Sequence, residues 1–405
     1  VPAPSLPLDG LTVLDFTRVL AGPYCTRLLS DLGARIVKVE RPGEGDDTRR
    51  GYLQIDPSRT DQSTYFIRCN VGKQSVAIDL AHREARGLVA DLVRRVDVVI
   101  ENFVPGVMAR LGCDYVSFKA LKPDLVYCSI SGFGQTGPLR DRPAFAHIIG
   151  AVSGLMRLEQ DGAPHPPVAY LQAADVLAGT HAFGAILAAL LRRARTGEGA
   201  YIDVSMLQCL VAAEDVTYGA VINGGAPAAG PRTGMMVHGI GDRHLATQFV
   251  GGPQLWPRLL ELIERPDLAT DPRFATPLAR REHWPELRGI VAEWLDRFKT
   301  VDDALDALTA ARLPSAPVLS PEEVAAHPHL EARRAFPDVP HPVRGRVRVT
   351  AVPFQLDGEA IGPRGGAPYR PGEDTRQVLG ELLGYAPDRI DALLGARVID
   401  APGAP

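Results

Sequence analysis

Cysteine is scarce in this chain: five residues in 405 (Cys25, Cys69, Cys113, Cys128 and Cys209), odd in number, widely spaced and without a CxxC pair. That argues against a disulfide framework and against a zinc site, and a reducing cytoplasm fits it. No block of like charge is present; Lys, Arg, Asp and Glu are interspersed and sum to −4, so a nucleic-acid partner is not expected. No run reaches the roughly 18 to 20 apolar residues of a membrane span. The opening VPAPSLPLDG has neither the basic nor the apolar segment of a secretory leader, which predicts a soluble, cytoplasmic protein with no membrane partner. GxGxxG and GxxxxGK(S/T) are missing from any strand-to-helix context, so ordinary dinucleotide and P-loop sites are not supported. Internal repeats are also missing.

What is present is enough apolar material for a large core, 45% of residues, in a chain long enough for two domains or one with an insertion. The first half alternates short β-rich runs with helical ones. LTVLDF (11–16), RIVKVE (35–40), SVAIDL (75–80), VDVVIENF (96–103) and LVYCSISGF (125–133) read as strands; 21–34 and 82–94 read as helices between them. Continuous apolar strands separated by helices predict an α/β fold with a parallel sheet covered on both faces. Ligands on such sheets bind at the carboxyl ends of strands. Glycines and polar residues cluster there, in RPGEGDD, ENFVPG and SGFGQTGP. AYIDVSM (200–206) adds a strand, and glycine-rich 221–244 reads as a linker or mobile loop. Residues 245–330 read as a smaller, mainly helical domain, and 331–405 as a return linker and a final piece of the larger one, whose first part is 1–220.

YLQAADVLAGTHAFGAILAALLRRARTGEG, residues 170–199, places a lone carboxylate, Asp175, at the head of an otherwise apolar helix. The plain reading is an N-cap, since Asp accepts an orphan backbone N–H and suits the positive end of the macrodipole. The sharper reading is a nucleophile: the same geometry keeps a carboxylate ionised while hiding it from water.

Seven separated motifs carry a family resemblance. LPLDGLTVLDFTRVLAGPYCTRLLSDLGARIVKVERPGEGDDTR, SVAIDL, VDVVIENFVPGVMARLG, SGFGQTGP, LLRRARTGEGAYIDVSM, RPDLATDPRFAT and GEDTRQVLGELLG together resemble a class III coenzyme A transferase, a group that includes formyl-CoA and carnitine CoA-transferases and the related α-methylacyl-CoA racemases. The resemblance runs from Leu6 to about Ile399. It implies a Rossmann-like large domain made from both chain ends, an inserted small α+β domain, and a homodimer of interlocked rings. It places the catalytic aspartate at Asp175, with Gly179 and His181 also matching the transferase pattern. It implies a CoA thioester as co-substrate, with no tightly bound cofactor and no metal.

The same resemblance puts Arg41, Lys73 and Arg110 on the CoA phosphates, whose charge calls for basic groups and backbone N–H donors. Val19, Asn102 and Phe103 would line the pantetheine and adenine path. Leu20 stands where formyl-CoA transferases carry a glutamine, which speaks against a formyl or oxalyl substrate. Arg140 and Arg142 are placed to pair a distal carboxylate, which favours succinyl-CoA as donor and a C4 or C5 dicarboxylate, or a hydroxy acid, as acceptor. The rival on the same fold is an α-methylacyl-CoA racemase, which needs a histidine as second acid/base group. Phe145 occupies that position and cannot move a proton; His147, two residues on, reads as a core or interface histidine. A third class, a CoA-binding protein without activity, is opposed by the intact Asp175.

Overall fold

The apolar runs assemble into one seven-stranded sheet in a computed structural model that describes residues 6–402, apart from 52, 57, 161–162, 227–233 and 250–251. β1 (Thr12–Asp15), β2 (Arg35–Glu40), β3 (Lys73–Ile78), β4 (Val98–Glu101), β5 (Val126–Ser131) and β6 (Ala200–Ser205) lie parallel in the order 3-2-1-4-5-6. The short strand Ile399–Asp400 pairs antiparallel with β3, so the sheet is mixed but mostly parallel. Alternate residues of β1, β2, β4 and β5 enter two different cores. Val13, Ile36, Val98 and Val126 face one, with helix α1 (Ala21–Asp31) and helix α3 (Ala173–Thr196); Leu14, Val37, Val99 and Tyr127 face the other. Burial on both sides is why these strands read as unbroken apolar text. Between α1 and α3 in the chain lies the two-turn helix α2 (Ala146–Val152).

By length and composition α3 is the one described helix apolar enough to cross a membrane. Here a stripe of Ala174, Ala178, Ala182, Ile186 and Ala189 is buried in the first core. All five cysteines are buried free thiols.

Two compact units divide the chain: Val1–Ala228 with His329–Pro405, and Ala229–Pro328. The second is built on an antiparallel sheet of β7 (Met235–Ile240), β8 (Arg243–Gln248) and β9 (Ser315–Pro317) and a core that includes Leu259, Phe274, Trp284, Leu287 and Trp294. The glycine-rich stretch 221–244 is therefore not all linker. Its last ten residues form a strand and a tight turn, in which Gly241 takes a left-handed backbone (φ 63°) that glycine adopts without strain. Residues 227–233 of this stretch lie outside the described residues.

Candidate active site

The order 3-2-1-4-5-6 reverses direction between β1 and β4, and the loops leaving their carboxyl ends diverge there to leave a crevice. One side chain spans it: Arg18 N–H donates to Asn102 Oδ1 at 2.8 Å, and Asn102 Nδ2 donates to Arg18 O at 2.7 Å. The neighbouring Phe103 N–H donates to Glu101, whose carboxyl is pushed up to about 7 by burial.

Two cavities open along this crevice. One, about 190 Å³, is lined by Val19, Asn102, Arg140, Arg142, Phe145 and Asp175 among others. The second, about 240 Å³, has Arg41 and Lys38 on its wall with apolar Ile78, Leu80, Ala81 and Leu111. Arg18 and Phe103 belong to both walls, the guanidinium lying 5.0 Å from the ring centre. Beneath the loop is a buried charge network. Lys38 Nζ donates to Thr17 O (2.8 Å) and to Asp46 (3.0 Å), Asp46 accepts from the Thr48 backbone and hydroxyl, and Asp15 accepts from Thr17 and Thr26.

Asp175 lies in the first turn of α3, half-buried, but it is not the cap. Gln172 holds the N-cap position without a side-chain cap bond. The Asp175 side chain instead shares a cavity with Ala21, the first residue of α1, whose backbone N–H lies close enough to favour the carboxylate's charged form. Gly179, one turn on, explains how the two helices come so close. A Cβ there would stand 2.6 Å from Ala21 O and 3.1 Å from the Tyr24 ring, so only glycine fits without movement. Burial pushes the Asp175 carboxyl up to about 6; the Ala21 N–H and the charge of His147 pull against it. The expectation that a helix N-terminus alone sets this acid is therefore modified, because desolvation is the larger effect. At neutral pH most of the population still carries the anion.

The structure brings Val19, Asn102, Phe103, Arg140, Arg142, Phe145 and Asp175 to one cavity and Arg41 to its neighbour. Arg41 is half-exposed and ion-paired with Glu44 and Asp47. Arg110 is exposed on the short helix Val107–Leu111 and lines neither cavity. Lys73 is a correction. Its Nζ is buried and donates to Asn70 (2.8 Å), Pro23 O (3.1 Å) and Asp15 (3.3 Å), so its three donors brace the start of α1 and none remains for a phosphate. Leu20 is a second: it is buried at the N-cap of α1 and does not line the Asp175 cavity. His147 is exposed on the first turn of α2, near enough to act on Asp175 by its charge, so of its two readings, core or interface, the structure opposes the core one. It is not among the lining residues of the Asp175 cavity. His181 is exposed and bonds Leu177 O of its own helix.

Arg18 and the Ala21 N–H were not legible as site groups. Arg18 carries no motif signal apart from its place after β1, and a backbone donor leaves no mark on sequence.

Comparison with known proteins agrees with this geometry. The model of CoA-transferase family III matches residues 8–375. An acetyl-CoA:oxalate CoA-transferase from Acetobacter aceti is 39% identical over 347 residues, 82% of this chain and 85% of the relative. A succinate–glutarate CoA-transferase from Agrobacterium fabrum is 36% identical over 344 residues, 81% of this chain and 84% of the relative. The crystal structure of a CaiB/BaiF family protein from Brucella suis superposes with a TM-score of 0.78 at 33% identity, covering 93% of this chain and 100% of that one. A switch-point crevice with a carboxylate at its end, and a family match over nearly the whole length, give one conclusion: the chain belongs to CoA-transferase family III and is a CoA-transferase.

Proposed function

We propose that the enzyme moves CoA from succinyl-CoA to a C4 or C5 dicarboxylate, or a hydroxy acid of similar size, through covalent intermediates on Asp175. The observation that carries this reading is a single cavity lined by Asp175 together with Arg140 and Arg142. A diacid bound there can offer one carboxylate to the chemistry and the other to an arginine, a pairing suited to planar two-point contact. The Agrobacterium relative, whose name gives succinate and glutarate, supports the acid class.

The Asp175 carboxylate attacks the thioester carbonyl of the donor; the C–S bond breaks, leaving an Asp175–acyl anhydride and CoA thiolate. The thiolate attacks the Asp175 carbonyl, releasing the donor acid as its carboxylate and forming an Asp175–CoA thioester. The acceptor carboxylate then attacks that thioester, giving a second anhydride and thiolate again. The thiolate finally attacks the acceptor's acyl carbon, and Asp175 leaves as the free carboxylate. The Ala21 N–H stays on the oxygen that Asp175 keeps, where negative charge develops at each attack on its carbonyl. Arg18, Arg41 and Phe103 would receive the CoA nucleotide in the neighbouring cavity. Two copies threaded as interlocked rings complete the proposal.

A screen of acyl-CoA donors against small carboxylic acids tests the substrate, with succinyl-CoA and glutarate or a C4 diacid expected as the best pair. Monocarboxylates outperforming every diacid would overturn the dicarboxylate reading. Mass spectrometry after incubation with donor and hydroxylamine tests the intermediate. The expected hydroxamate lies on Asp175 and is missing from Asp175→Asn; a label elsewhere would refute the scheme.

A further inference from the structure

The loop between β1 and α1 has a feature the scheme above does not use. Val19 adopts φ 68°, and it is the only β-branched residue with positive φ among the described residues; the other non-glycine cases are Glu264, Arg312, Arg334, Asp357 and Arg397. A β-branched side chain in that region is a genuine outlier, because its Cβ substituents crowd the backbone. Such a conformation persists only where the surroundings over-determine it. Here they do, from two sides. Both carboxylate oxygens of Asp46 accept the Val19 N–H at 3.3 Å, and the Asn102 amide pins both backbone polar groups of Arg18. Asp46 is itself fixed: 1% exposed, it accepts from Lys38 at 3.0 Å and from the Thr48 N–H and hydroxyl at 3.0 and 2.7 Å.

Two residues beyond this turn the chain reaches Ala21, which lines the same cavity as Val19 and Asp175, packs against Gly179 one turn on from Asp175, and has its N–H near the carboxylate. Rotating Val19 back to a relaxed φ redirects the next peptides, so that N–H can no longer point where it does. We infer that Asp46 is a positioning residue for the transfer reaction: its carboxylate locks Val19 in the left-handed turn, and the turn delivers the Ala21 N–H to Asp175. The inference rests on Asp175 being the acylated group. It also explains why a costly backbone shape sits at this point in the loop and nowhere near it.

The test is a double-mutant cycle between Asp46→Asn and Val19→Gly, read as kcat for CoA transfer with the best donor and acceptor pair from the screen. The isosteric amide turns an NH₂ group toward Lys38 and the Val19 N–H, which weakens the lock. Glycine takes positive φ without strain, so it needs no lock. Asp46→Asn is expected to lower kcat about tenfold to a hundredfold in the wild-type background, the scale of a misplaced catalytic contact. In the Val19→Gly background the same substitution is expected to cost less than about threefold, within the scatter of uncoupled sites. A purely electrostatic effect of Asp46 on CoA, or a general loss of packing, would be the same in both backgrounds and would overturn the inference. So would an Asp46→Asn enzyme of wild-type kcat. Should Asp46→Asn alone not accumulate folded, recovery of folded, active enzyme by adding Val19→Gly supports the lock, and failure to recover it overturns the lock. The nucleophile reading fails by a different result, an active Asp175→Asn enzyme.

Discussion

Asp175 is held at odds with its own charge. Its carboxyl titrates near 6 in the folded protein against an ordinary value of 3.8, because burial outweighs the Ala21 N–H and the charge of His147. A raised carboxyl favours the folded state only while it is protonated, so this contribution is full below about pH 4 and is lost as pH rises through about 6. At pH 7 the folded protein bears the cost of an ionised, desolvated acid. Two units would be at most about 3 kcal/mol, and partial solvent access reduces that to about 1 to 2 kcal/mol. Asp175→Asn removes the charge and keeps the shape. It should unfold at a higher temperature than wild type at pH 7 and at the same temperature near pH 4, while CoA transfer is abolished. Differential scanning calorimetry at the two pH values checks the first part. An Asn variant less stable than wild type at pH 7 would show that the carboxylate is a net stabiliser and would overturn the desolvation argument. In the wild type, kcat should fall as pH drops below about 6, since the anion is the attacking species.

Between elements, the decisive contact is α1 against α3 at Gly179. Alanine there gains roughly 1 kcal/mol in helix propensity. Its Cβ would stand 2.6 Å from Ala21 O, a backbone atom that cannot swing aside, and overpacking of this kind costs about 1 to 3 kcal/mol. Gly179→Ala should therefore be neutral to modestly destabilising yet lose about tenfold or more in kcat, because the shift it forces falls on Ala21, which lines the cavity with Asp175. Gly184, on the same helix, has no atom within 4 Å of a built Cβ; Gly184→Ala should raise the melting temperature and spare kcat. Equal kcat for the two alanine variants would remove Gly179 from the argument.

The same elements show what sequence could reveal. The strands were legible because burial on both faces leaves no polar alternation to confuse them, and Asp175 stood out as a candidate because it is an acid in an apolar helix. The hairpin of β7 and β8 was hidden, since its glycines and histidines resemble loop text until the antiparallel partner supplies the hydrogen bonds. Lys73 was misread for a related reason: motif position says which strand a lysine opens, and only packing says that its ammonium turns inward to Asp15.

At the scale of the molecule, the first unit exposes large apolar side chains over a short span of sequence: Phe145, Ile148, Val152, Val168, Tyr170, Leu171 and Leu191. Exposed apolar side chains in such number mark an association surface, and they support the proposed dimer. The chain path supports its topology. The polypeptide leaves the first unit after Ala228 and re-enters it at His329, and the returning segment closes on the N-terminal part through the strand Ile399–Asp400 on β3, a shared core with Val378, Leu379 and Ile390, and the Arg35–Glu381 ion pair, a closure that in the proposed dimer makes each subunit a ring. Two such rings threaded through each other cannot part by simple dissociation; one must first open. Homodimers carrying two different tags, mixed under native conditions, should then form no mixed dimer over days, even at nanomolar concentration. Unfolding and refolding the mixture together should produce the mixed dimer in statistical yield. Exchange within hours in native buffer would show an interface that opens without unfolding, and a reversible monomer in sedimentation would exclude the threaded dimer altogether.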